Sequence, residues 1–180
     1  MKTRSFNSIL FILFFTFVTV LHSQNNAMAD ADSLVCLRIE GKIMRHGKRS
    51  PCLVELYRSG MCVDSMRLPS RIKRFGFELN LRSSYTIRLS SAGYVSKLIC
   101  ITTDSAPSSQ GIYRFKFTTV LMDTCQGKKL NPDALDFPVA LIYFDTKAQN
   151  FDYAREYTRR IKQEWLRKEP KDLHLATNHP

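Results

Sequence analysis

"SSYTIRLSSAGYVSKLICITT" (residues 83–103) decides the fold. It reads as two strands, Tyr85–Leu89 and Lys97–Thr102, joined by a loop around Ser91-Ala92-Gly93. Upstream, "RFGFELNL" (74–81) alternates Phe75, Phe77 and Leu79 against Gly76, Glu78 and Asn80. That period of two marks a half-buried strand. "LVCLRIEGKI" (34–43) does the same, with Val35, Leu37 and Ile39 on one face and Arg38 and Glu40 on the other. Gly41 falls where a sandwich strand is expected to bend or bulge. "CLVELY" (52–57) turns Cys52, Val54 and Leu56 inward, "RSG" (58–60) is a turn, and "MCVDSMRL" (61–68) is a short further strand. Six short strands in about seventy residues, without helical patterns between them, predict an antiparallel β-sandwich and disfavour a parallel α/β sheet.

Downstream, "DSAPSSQG" (104–111) has linker composition. "IYRFKFTTVLM" (112–122) is a strand with Tyr113, Phe115 and Phe117 on one face. "DTCQGKKLNPDALD" (123–136) is a polar loop, and "FPVALIYFD" (137–145) is an apolar run of strand length beginning near Pro138. The period then changes. Ala154, Tyr157, Ile161 and Trp165 fall near helical spacing, and Glu156–Arg160 and Glu164–Lys168 are favourable pairs. The spacing predicts an amphipathic helix from about Asp152 to Arg167, capped by Asn150 or Asp152 and ended by Pro170.

The N-terminus has the plan of a secretory signal: Lys2 and Arg4, then the apolar run "ILFILFFTFVTVL" (9–21). Cleavage is expected after Ser23, or as late as Ala29. The expected organisation is a leader over 1–23, a sandwich over 34–103, a strand–strand–helix extension over 112–168, and a flexible tail over 169–180. The formal charge is +11. All sixteen acids lie beyond residue 29, so losing Lys2 and Arg4 with the leader leaves +9. An exported basic chain points away from nucleic acid and toward anionic envelope polymers, lipid headgroups or an acidic partner. The expected location is the periplasm, the outer-membrane surface or the extracellular space.

Cys36, Cys52, Cys62, Cys100 and Cys125 contain no C-x-x-C pair, which argues against a thioredoxin-like site or a zinc ribbon. Cys52 reads as a small core residue. Cys36 and Cys100 lie in strand-like runs, and spacing alone leaves a bridge between them open.

"IEGKI" (39–43), "SPCLVELY" (50–57), "RFGFELNL" (74–81) and above all "YTIRLSSAGYVSK" (85–97) resemble a carboxypeptidase regulatory-like domain. The resemblance implies a transthyretin-like sandwich over 34–103, serving as a non-catalytic accessory or binding module. It also implies that Gly93 takes a positive φ and that the Tyr94 ring folds over the open end of the sandwich. "SRIKRFGF" (70–77) lacks the Asp of the family's usual Asp-x-x-Gly turn, which changes the expected loop over 67–74.

"RHGKRSP" (45–51) matches the Arg-His-Gly-x-Arg-x-Pro signature of histidine acid phosphatases. There His46 would be the nucleophile, with Arg45 and Arg49 clamping phosphate. The other histidines, His22, His174 and His179, are not followed by an acid, so the second half of that site is missing. The string instead reads as a basic turn in which Arg45, His46, Lys48 and Arg49 crown an exposed hairpin. A second cationic surface is expected on the helix, from Arg155, Arg159 and Arg160 with Lys162, Arg167 and Lys168. Asp123, Asp133, Asp136 and Asp145 match no calcium-loop spacing, so no metal or cofactor is expected. The sequence thus leads to a non-enzymatic binding or assembly protein of a bacterial cell envelope. The alternative is a secreted carbohydrate-binding module using Tyr57, Tyr85, Tyr94 and Tyr113 as a platform.

Overall fold

The computed structural model describes residues 34–45, 50–108, 111–127 and 130–166. The expected leader and tail lie outside the described residues, as do His46, Lys48 and Arg49. The protein is mainly β, two facing sheets followed by a C-terminal helix. The strands are β1 (Val35–Arg45), β2 (Cys52–Arg58), β3 (Met61–Leu68), β4 (Arg74–Asn80), β5 (Ser84–Ser91), β6 (Lys97–Thr102), β7 (Tyr113–Leu121), β8 (Ala140–Asp145) and β9 (Asn150–Tyr153). One helical turn, α1 (Thr124–Gly127), follows β7, and the chain ends its described part in α2 (Arg155–Leu166). No helix among the described residues is long and apolar enough to cross a membrane.

The small sheet runs β4-β1-β7 and the large one β3-β2-β5-β6-β8-β9. Pairings within residues 34–103 are antiparallel. The later strands add two parallel pairings: β7 beside β1 (Leu37↔Tyr113 to Arg45↔Leu121) and β8 beside β6 (Ile99↔Ala140 to Ile101↔Ile142). The cause is the connection. The chain crosses from β6 to the other sheet to make β7, then crosses back, so β8 returns in the direction of β6.

Alternation fixes which side chains meet between the sheets. Leu37, Ile39 and Ile43 of β1 pack with Val54, Leu79, Ile87, Leu89, Ile99, Ile101 and Ile142, all removed from water. Each such side chain contributes roughly 1.5–3 kcal/mol of burial. Two aromatic groups tie the later strands in. Tyr113 meets Phe144 and Phe151 edge-on at 5.1 and 5.7 Å, and Phe115 meets Tyr153 at 5.1 Å.

Three local expectations change, and a fourth point, left open by the sequence, is filled in. First, β1 has no bulge at Gly41; its register is continuous there on both sides, and the irregularity lies between Val35 and Leu37. Gly41 makes room instead: a Cβ would stand 2.2 Å from Phe75 Cζ and 2.9 Å from Phe117 Cζ. The two rings, 5.8 Å apart and nearly perpendicular, close over it from the neighbouring strands. Second, residues 150–153 are strand rather than the start of the helix. Asn150 and Asp152 accept from the amides of Phe151 and Tyr153, at 2.8 and 2.7 Å, so neither caps α2. Phe151 is drawn into the core, and Ala154 N donates to Leu141 O at 2.9 Å. Third, β1 and β2 belong to different sheets, so the basic string links two layers and is not the tip of a hairpin. Fourth, all five cysteines are free thiols. Cys36 is buried, whereas Cys100 lies on the opposite phase of β6 from Ile99 and Ile101, its sulfur 3.4 Å from Thr86 Oγ1.

Candidate functional site

The "SAGY" turn places the start of β6. Gly93 sits at φ 82°, a conformation that favours glycine. Its carbonyl accepts from Thr124 N at 3.0 Å, and Val95 N donates to Met122 O at 2.9 Å. Tyr94 bridges to Asp123 and is buried in the main core. The loop before β6 is thereby fastened to the chain leaving β7, and Lys97, the first residue of β6, is carried inward.

Helix α2 closes over the same region. Ile161 and Trp165 lie on its buried face with Ala134 beneath them. Trp165 Nε1 donates to Ala134 O at 2.8 Å, Asn131 N donates to Trp165 O at 3.0 Å, and Tyr157 OH donates to Pro138 O at 2.9 Å. The helix is pinned along its length to the loop before β8.

Between β6, β7, the start of β8 and α2 lies a cavity of about 630 Å³. Ile99, Phe117, Val139, Ala140, Ile161 and Trp165 give it an apolar wall. Lys97, Arg155, Arg159 and Lys162 supply its charge, and no Asp or Glu lines it among the described residues. Arg155 is held by Asp152 at 3.2 Å. Lys97, Arg159 and Lys162 have no carboxylate partner among the described residues.

Lys97 is the unusual member. Only 9% of it is exposed, and its ammonium stands 5.3 Å from the centre of the Trp165 ring. Burial, and then the neighbouring charge of Lys162, push its pKa down to about 8. Thr119, also 9% exposed, lines the same cavity. Tyr153, on the wall, has its phenol pKa raised by burial and then by Asp152. A second hollow of about 680 Å³ lies beside β1 and β4, but its Lys116 is paired with its Glu40 at 3.2 Å.

The residues singled out in the sequence separate into groups. Arg155 and Arg159 line the cavity; Arg160 lies over the Tyr157 ring at 5.8 Å. Arg45 does not join them. Its guanidinium donates to the carbonyl of Ser50 and to those of Ser70 and Ile72 at 3.1 and 3.5 Å, tying the β1–β2 connection to the β3–β4 loop. The four tyrosines form no exposed platform: Tyr85 and Tyr94 are buried, Tyr113 packs on Phe144 and Phe151, and Tyr57 donates to Glu55 at 3.1 Å. No group of three or more His, Cys, Asp or Glu could hold a metal ion among the described residues. Lys97 was missed by reading for exposed charge. Its signal is phase, since it stands where Ile99 and Ile101 require an inward side chain.

No family model matches the chain, and no curated protein matches it in sequence.

Proposed function

We propose that the chain is an exported, non-enzymatic binding protein of the bacterial cell envelope that holds an anionic partner at the cavity between β7 and α2. The observation that carries this is three cations, Lys97, Arg159 and Lys162, converging on one apolar-walled cavity with no carboxylate among the described residues to neutralise them. A cluster of that kind repels itself, and an anion relieves the repulsion. The signal-like N-terminus supports export, and the resemblance of residues 34–103 to accessory sandwich domains supports a binding role.

The test is binding of the purified protein to anionic and neutral envelope polymers at two ionic strengths. Binding to the anionic set that weakens steeply with salt, and falls in Arg159→Gln/Lys162→Gln, is expected. Binding confined to neutral glycans and indifferent to salt would favour a carbohydrate-binding module. Phosphoester hydrolysis lost in His46→Ala would favour an enzyme.

A further inference from the structure

We propose that the cavity takes an amphiphile with a single oxyanion head on an aliphatic body, the head at Lys97 and Thr119 and the body along Ile99, Phe117, Ile161 and Trp165. This rests on the reading of the cavity as an anion site and names the class of anion.

Three observations select that class. The walls are apolar, so a small hydrophilic anion such as phosphate would leave them uncovered. The deepest charge is the ammonium of Lys97, a side chain only 9% exposed, with the Thr119 hydroxyl lining the same cavity. A single head satisfies both, whereas a polyanion would have to strip several charges of water to reach one lysine. The volume, about 630 Å³, is in the range that encloses a molecule of drug or short-lipid size. Arg159 and Lys162 are exposed on the α2 side, where they attract the head before it is desolvated.

The charged and titratable groups around Lys97 are Lys162, Arg159 and Arg155 from α2 and Tyr153 from β9; β7 and β8 contribute none to the cavity. Tyr153 remains neutral through pH 9 because its pKa lies above the usual 10. Lys97 is therefore the group whose charge is lost as pH rises past about 8, and affinity for the head falls with it.

Calorimetric titration of the full chain lacking the leader tests this with dodecanoate, dodecyl phosphate, dodecanol, acetate and inorganic phosphate. Carboxylate and phosphate amphiphiles should both bind, since they share the head chemistry; their ratio tells which source fits better. Dodecanol should bind at least tenfold more weakly than dodecanoate, and acetate and phosphate at least a hundredfold. Lys97→Met should cost at least tenfold in dodecanoate affinity. Lys97→Arg, which keeps the charge, and a thermal melt of each variant separate loss of the head contact from loss of the fold. Dodecanol binding as tightly as dodecanoate would overturn the head assignment. Acetate or phosphate binding as tightly as the amphiphiles would overturn this inference and leave the anion site standing. Failure of every anion would overturn both.

Discussion

Replacing Lys97 by methionine removes a charge that the fold holds away from water and beside other cations. Below about pH 8 the ammonium is charged in both the folded and the unfolded chain, and the folded state bears the full penalty. Between about 8 and 10.5 the unfolded chain keeps the proton and the folded chain gives it up, so wild-type stability rises with pH and the penalty disappears. A displacement from 10.5 to about 8 is worth roughly 3 kcal/mol at about 1.36 kcal/mol per pKa unit. The ammonium also gains about 0.5–2 kcal/mol over the Trp165 ring, which methionine replaces with a weaker sulfur contact. Lys97→Met should therefore stabilise the protein by about 1–3 kcal/mol at pH 7. By pH 10 most of that difference should be gone. Tyr153 and Tyr157, whose raised pKa values cost stability above pH 10, are common to both proteins and cancel. Urea unfolding of both proteins at pH 7 and pH 10 measures it. Destabilisation at pH 7, or an equal difference at both pH values, would show that the Lys97 ammonium carries no burial penalty in the folded state.

Gly41→Ala should cost about 1–3 kcal/mol, because the new methyl meets the Phe75 ring at 2.2 Å; Phe75→Leu in the same chain should recover part of it, read by denaturant midpoint. Trp165→Phe removes the bond from Nε1 to Ala134 O and should cost about 1–3 kcal/mol, with proteolysis of the 130–139 loop becoming faster in limited digestion. Arg45→Met leaves the carbonyls of Ser50, Ser70 and Ile72 without their donor; it should lower stability by about 1–3 kcal/mol and leave anion binding unchanged, which calorimetry checks.

The strands of the sandwich could be read locally because each carries its own alternation: Leu37 with Ile39, Val54 with Leu56, Phe75 with Phe77. The parallel neighbours β7 and β8 could be seen as strands but not placed, since pairing across the 104–112 loop leaves no local mark. Strand β9 was hidden because its four residues precede a helix and include two Asx side chains, Asn150 and Asp152, that imitate a cap. The cavity was illegible for a related reason. Its charge is drawn from β6 and α2 and its walls from β6, β7, β8 and α2, far apart in sequence. The helix charges were visible as types, yet whether Arg155, Arg159 or Arg160 faced a cavity depended on where Trp165 docked.

The most direct test of the account is the titration of Lys97 itself, followed by the ¹³Cε resonance of labelled lysine and assigned by its loss in Lys97→Met. The midpoint should lie near 8 in the free protein and rise when dodecanoate is added, because an anion stabilises the charged form. A midpoint near 10.5 that dodecanoate leaves unmoved would contradict it.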